Sequence, residues 1–414
     1  MAKAERDVTP AIVKVRMTKL PSDLRIRLLL SRVAKKGGKP FTISGFQLRD
    51  SMGRWIPQDT LHCDVEKSVQ KKSVSLDKKN LIPTRNKWFC TAGKNYSLEI
   101  KNGVRIYPEG GFIEFGGKSY RGGIEFAELE SQIQIMNSIE LERYLVGLLT
   151  KEMSPEFPLE ALKAQAIAAR SYALARAADQ RRSGKNWDLV VTQSDQVYEG
   201  AHSEDPRTLA AVKATIGEAL HFRNEVITAY YHAASGGFSE IPENVWGKTE
   251  LVADRLAYAN IDNPWDKKNL EWSASISPDF GGIWADVGIL KEITVLGKTS
   301  GQRVESLLLR GEYGKVILDG SEIRKRFGND LIKSLNFTVE SLAKGSGWKI
   351  SGRGWGHGVG LSQWAAKAMA ESGMSYRSIL KFHYPFADIK SWIPRSLPQP
   401  ILSDVPPIPA ALTR

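Results

Sequence analysis

Cysteine, histidine and long apolar runs are scarce in this chain, and each shortage narrows what it can be. Two cysteines, Cys63 and Cys90, stand among 414 residues. They leave two readings open, one disulfide in an oxidising compartment or two small buried thiols. The six histidines are scattered, and neither H-E-x-x-H nor a paired C-x-x-C occurs, so no metal site and no cofactor is expected. No apolar run reaches the ~18 residues that a membrane-spanning helix needs. The opening MAKAERDVTPAIV has no apolar h-region, so no signal peptide is visible, which taken alone points to the cytosol. No zinc finger, RNP-like aromatic pattern or long basic helix is present, which argues against a nucleic-acid binder.

What is present is ordinary for a soluble globular protein: 42% hydrophobic and 25% charged residues, in a chain long enough for two or three domains. The net charge of +12 and pI near 9.4 either attract an anionic partner or serve solubility.

The expected fold class is α+β. Short alternating runs such as VKVRM, LRIRLLL and FTISGFQLRD, then YSLEI, VRIYP and FIEFGG, predict a β-rich N-terminal domain over residues 11–130. Residues 131–285 and 346–393 are expected to be two parts of a helix-containing main domain. Between them a small inserted subdomain is expected at 286–345, with SEIRKRFG a short helix opened by a serine cap. Residues 394–414 read as an extended proline-rich tail.

The chain is organised around residues 139–178. Leu141, Tyr144, Leu145, Leu148 and Leu149 recur at helical spacing. Pro155 and Pro158 stop that helix, and Pro158 suits the first turn of a second. The second helix is rich in alanine, with Lys163, Gln165 and Arg170 set into it. Glu152 falls in the closing turn of the first helix, at the negative end of its macrodipole. Ionisation is disfavoured there, so partial burial would keep the carboxyl protonated near neutral pH, as a general acid requires.

LERYLVGLLTKEMSPEFPLEALKAQAIAARSYAL resembles the signature of the SpoIID/LytB family of cell-wall proteins, which includes lytic transglycosylases of peptidoglycan. TQSDQVYEG, AYYHAASGGFSE, NVWG and GRGWGHGVGLSQWAA are similar to that family's other motifs, in the same order, over about residues 100–393. The resemblance implies cleavage of the MurNAc–GlcNAc β-1,4 bond with formation of a 1,6-anhydro ring. It implies Glu152 as the acid/base, and Lys163 and Arg170 as cations that hold substrate anions. It also implies peptide-free glycan strands as partner, whose lactyl carboxylates suit a basic surface, and a monomer exported to the cell envelope whose export signal is absent from this chain. Some family members are described as amidase enhancers, so the other reading is a wall-binding modifier that works with a cell-wall amidase. Some bind zinc near the active site, but both cysteines here lie upstream of Glu152, against such a site.

Gln165, Tyr198, His232, Ser235, Trp355, His357 and Gln363 are further candidates for the groove. In YYHAASGG the glycine turn after Ser235 could offer N–H groups to a sugar. A His232–Ser235 hydrolase dyad has no third member and no G-x-S-x-G elbow. GRGWGHGVG fits neither a dinucleotide fingerprint nor a P-loop. Its glycines are expected to admit a ligand, with Trp355 and His357 as a flat face and a hydrogen-bonding edge.

Overall fold

The long helix α2, Leu159–Arg182, occupies the centre of the main domain, and most of its residues are buried whichever way they point. Among them Ala161, Ala164, Ala166, Ala168, Ala169 and Ala173 are fully covered. Alanine favours helix and lets neighbours approach closely. Helices α1 (Leu141–Glu152) and α3 (Pro206–Ala214), the strand Glu218–Phe222 and two later helices, Gln363–Glu371 and Tyr376–His383, all touch α2. The computed structural model describes residues 25–34, 39, 41–44, 48–49, 55–56, 60–66, 87–92, 96–100, 104–108, 111–129, 132–192, 195–247, 258–259, 261–266, 271–280 and 287–393. The expected tail at 394–414 lies outside them. Among the described residues no helix is long and apolar enough to cross a membrane.

The fold is α+β. A five-stranded sheet runs in the order Leu189–Val190, Arg25–Ala34, Gln132–Glu140, Gly123–Glu128, Arg105–Ile106. Its central strand Gln132–Glu140 is buried at almost every position and leads without a break into α1. Ile26, Leu28, Ile133, Ile135 and Ile139 join the core around α2. Leu29, Ala127 and Met136 form a smaller cluster with Trp187 and Val190. A six-stranded sheet is built from the strands Lys118–Tyr120, Ile113–Phe115, Phe41–Ser44, Thr60–Glu66, Lys87–Ala92 and Tyr96–Ile100. Cys63 and Cys90 face each other across two of its strands and form a disulfide.

Strand pairing cuts across the domain limits expected from sequence. Arg25–Ala34 and Gly123–Glu128, expected in the N-terminal domain, flank Gln132–Glu140 in one sheet, so the expected limit divides a single sheet. On the other side, Glu271–Ile276 pairs with Trp348–Arg353, which in turn pairs with Phe337–Ser341. With the hairpins of Leu290–Lys298, Val304–Gly311 and Lys315–Asp319, these strands enclose a second core that includes Trp272, Leu307, Phe337 and Ile350. The inserted module therefore begins before residue 286 and ends after 345. Its helix Gly320–Phe327 is capped by Asp319, not by serine. Asp319 accepts from the Glu322 N–H while Glu322 reaches back to the Asp319 N–H, a reciprocal box in which Ser321 is already inside the helix.

Arg170 belongs to the α2 core. It is 0% exposed, and its guanidinium donates to both carboxylate oxygens of Glu142 on α1, at 2.8 and 2.7 Å. A further N–H reaches the Glu218 carbonyl at 3.0 Å. Arg170→Met leaves the Glu142 carboxylate buried and unpaired, and should cost about 3–5 kcal/mol of stability. Replacing both partners, Arg170→Met with Glu142→Leu, should recover most of that loss, as read from urea midpoints. A double variant as unstable as the single one would contradict this account.

Candidate active site

Glu152 is the last residue of α1, where Met153 leaves the helical conformation with φ −144° and ψ 137°. Its carboxyl is partly buried and accepts from the Val197 N–H at 3.3 Å and from the Tyr231 hydroxyl. A relay fixes the direction of the second bond. Tyr144 donates to Gln196 Oε1 at 2.9 Å, and Gln196 Nε2 donates to the Tyr231 oxygen at 2.9 Å. The Tyr231 proton is thereby left for Glu152. Burial raises the Glu152 carboxyl to about 7, against the lowering effect of the Val197 and Tyr231 bonds. Of the two causes expected from sequence, the helix dipole and partial burial, burial is the one that dominates.

The loop that carries Val197 is pinned by Asp195. Its carboxylate accepts from Tyr172 and Arg176, each at 3.0 Å, and from the Val190 N–H at 2.9 Å. Glu199, two residues beyond Val197, pairs with Lys151 and Lys118 at 2.5 and 3.4 Å. Opposite, Phe157 in the SPEFP break meets Trp364 edge to face, with ring centres 5.5 Å apart. Parallel pairing of Tyr231–His232 with Leu361–Ser362 joins the AYYHAASGG and GRGWGHGVGLSQW segments. Four motifs distant in sequence thus converge near one carboxyl.

The expected groove residues divide into several groups. Trp355 is 40% exposed with Lys333 Nζ over its ring, and His357 stands 5.0 Å from the exposed Trp246, which stacks on Tyr230. Tyr230, Trp246 and His357 form one aromatic wall, and Trp355 stands two residues before His357. Lys163 is mostly covered and paired with Glu160 at 2.6 Å, and Glu160 also accepts from the Tyr376 N–H. Gln363 opens its helix, 8% exposed. Gln165 is fully buried with neither amide atom hydrogen-bonded, and Tyr198 is 2% exposed with its hydroxyl unpartnered. Tyr198 lines a cleft of about 390 Å³ that shares Val197 with the Glu152 site.

Three expectations are corrected. Arg170 faces no groove, because Glu142 neutralises it in the core. The turn after His232 offers fewer free N–H groups than expected, since those of Ser235 and Gly237 both donate to Asp266, at 2.7 and 3.3 Å. The glycines at 358 and 360, both with positive φ, give way to protein and not to ligand: a Cβ would strike the Arg303 guanidinium at the first and the Tyr230 carbonyl at the second. His232 and Ser235 do touch, at 3.3 Å, but both are buried. Burial holds His232 well below its ordinary value and His357 at about 3, so both imidazoles are neutral. Among the described residues no group of three or more His, Cys, Asp or Glu side chains could hold a metal ion.

Tyr231, Gln196 and Tyr144 were missed as site residues, although each lies in a motif already singled out. The signal was alternation: in Tyr231–His232 one side chain points to Glu152 and the other away.

The mixed fold, with a partly buried acid at the end of one helix and four motifs converging near it, defines a class of α+β protein in which one carboxyl among the described residues is held above its ordinary value. The family described as Stage II sporulation protein, SpoIID, matches residues 129–222, and a domain of unknown function, DUF8618, matches 274–360. Stage II sporulation protein D of Bacillus amyloliquefaciens is 32% identical over 277 residues, covering 61% of this chain and 75% of that protein. The amidase enhancer of Bacillus subtilis (strain 168) is 30% identical over 388 residues, 77% of this chain; the chain spans about half, 53%, of that relative. The chain belongs to the SpoIID family.

The raised carboxyl carries a stability signature. A carboxyl held at about 7 in the fold and near its ordinary value when unfolded favours folding most at low pH. That contribution fades as pH rises from about 4.5 to about 7. Glu152→Gln removes it, so the variant should gain on wild type by up to about 3 kcal/mol between pH 4 and pH 8. Urea unfolding at the two pH values measures this, and parallel pH dependence in both proteins would refute it.

Proposed function

We propose that this chain is a peptidoglycan lytic transglycosylase that cleaves the MurNAc–GlcNAc β-1,4 bond of peptide-free strands. The observation that carries the reading is the Glu152 carboxyl, poised at about 7 where the family's motifs meet. At neutral pH a large fraction holds its proton, and Tyr231 and the Val197 N–H orient the group. That proton goes to the glycosidic oxygen as the C1–O bond breaks. The C6 hydroxyl of the same muramic acid attacks C1, and the Glu152 carboxylate takes the hydroxyl proton. One C–O bond breaks, one forms, no water is consumed, and the acid is restored. A hydrolytic route asks for a second free carboxylate. Asp195, the acid nearest in sequence on the facing loop, is instead occupied by three donors.

A monomer exported to the cell envelope fits this reading. The Cys63–Cys90 disulfide supports an oxidising compartment. The exposed Trp246 and Trp355 rings offer faces to pyranose rings, and the +12 charge suits lactyl carboxylates. A second reading rests on the match to the amidase enhancer: the chain binds glycan and aids a cell-wall amidase without chemistry of its own.

Glu152→Gln keeps the shape and loses the proton, so release of 1,6-anhydroMurNAc ends from denuded strands should fall by about 10²–10⁴-fold. Mass spectrometry should find wild-type products about 18 mass units below the hydrolytic ones, since no water is added. Release of reducing ends by wild type would point to hydrolysis. If neither protein cuts glycan while both stimulate an amidase equally, the second reading stands.

The pH profile gives an independent check. Activity should decline as pH rises through about 7, because the acid form of Glu152 disappears. Tyr231→Phe removes a hydrogen bond that favours the carboxylate, so the alkaline limb should move upward while kcat falls. A limb that stays in place, or moves down, would show that Tyr231 does not tune Glu152.

A further inference from the structure

A cleft of about 670 Å³ lies at the seam between the Gly236 turn and the inserted module, and Glu152 is not among its lining residues. Glu271, Trp272, Lys298, Gln302, Asn336 and Arg353 line it, with Gly236 of the AYYHAASGG segment at its floor. The walls are held in place by contacts across the seam. Asn336 Nδ2 donates to the Gly236 carbonyl at 3.1 Å, and Arg303 Nη2 donates to the Ser235 carbonyl at 3.0 Å. Thr299 donates to Glu240. Gln302 sits at the hairpin tip in the left-handed region, with φ 62°. That conformation is costly for a side chain other than glycine or asparagine, and persists only where its surroundings impose it.

The lining has the chemistry of a saccharide site. Neutral hydrogen-bonding groups outnumber charges, and Lys298 and Arg353 against Glu271 leave one net positive charge. Trp272 is 8% exposed, and its indole N–H is buried without an acceptor. That nitrogen has no surface open to the cleft, so hydrogen bonds to a ligand fall to the exposed lining groups Ser273, Lys298 and Arg353. An open polar trough suits an extended amino-sugar chain better than a compact apolar molecule.

Its position points the same way. Gly236 lies five residues beyond Tyr231, so the floor of the trough is at most ~18 Å from the Tyr231 backbone. The exposed Trp355, bridged to Ala234, stands on the intervening stretch. We propose that the trough between the inserted module and the Gly236 turn is a distal subsite for the glycan strand, binding sugars several residues removed from the bond at Glu152. This rests on the glycan reading above, and it makes the module the part of the protein that favours long strands over short ones.

Two variants test it from exposed positions. Ser273→Trp, on the trough strand Glu271–Ile276, fills the space, and Lys298→Ala removes the cation. Each is compared with wild type, after thermal melts establish equal folding, for binding to chemically denuded glycan strands and for turnover of the tetrasaccharide (GlcNAc–MurNAc)₂. Kd for long strands should rise about tenfold, the scale of one or two lost hydrogen bonds, while turnover of the tetrasaccharide stays at the wild-type rate. Unchanged Kd for long strands in both variants would overturn the proposal. So would polyglycerol phosphate binding the wild type more tightly than denuded glycan. If wild type releases no anhydro ends but the variants still lose long-strand binding, the trough stands and the transglycosylase reading alone fails.

Discussion

Burial of α2 on nearly every side is the constraint on which the rest of the structure depends. A helix with no single apolar stripe has no face to leave in water, so neighbours must enclose it. The five-stranded sheet, α1, α3 and the two C-terminal helices meet that demand. The alanine surface sets how near they come, and of the large polar groups on it Gln165 is left without a hydrogen bond while Arg170 is paired. Arg170 is satisfied by Glu142 and by the Glu218 carbonyl, which binds α2 to α1 and to the 218–222 strand together. Ser171, the next residue, takes the Leu220 N–H at 2.8 Å and fixes the same strand two residues further on.

Glu152 acquires its properties from that enclosure. The helix α1 must end where it does because Ser154–Pro158 turns the chain into α2, and its last residue is left where the helix pair, the 195–199 loop and the Tyr231 strand come together. Solvent is excluded by packing that the core requires anyway, and exclusion raises the carboxyl. Two donors then act against the rise. The Tyr144–Gln196–Tyr231 relay supplies one oriented proton to Glu152 and no cation, so the carboxyl stays at about 7.

Much of this was legible in the residues. The two helices and their break followed from leucine spacing, prolines and alanine content, and the acid followed from its place at the break. The family resemblance supplied the other segments but not the direction of their side chains. Arg170 looked like a substrate cation because nothing local shows that Glu142, 28 residues earlier, waits beside it in the core. Gln196 and Tyr231 looked ordinary because their importance lies in a contact between two segments. The N-terminal limit was placed at 130 because strand character changes to helix soon after; which strands pair with Gln132–Glu140 depends on long-range partners that period alone does not identify. The cysteines were undecided until their strands were seen to be neighbours, which places the two thiols opposite each other.

The inserted module shows how strongly a distant fold can bear on this cleft. Its strand Trp348–Arg353 runs straight into Gly354 and Trp355, so any displacement of the module's core is passed to the aromatic wall. Arg303 reinforces the link. It is buried with two guanidinium nitrogens unpartnered, a costly arrangement, and burial lowers it only to about 10, so it remains charged. Glu240 and Asp266 supply opposing charge, and the latter also holds the Ser235 turn and Ser362 at the start of the Gln363–Glu371 helix. One arginine from the module therefore sits among groups that shape both ends of the wall. The glycine at 358 is what makes room for it, because any Cβ there would occupy the guanidinium's place. The glycine-rich motif, which in sequence reads as a loop open to a ligand, is in the fold the socket that receives the module.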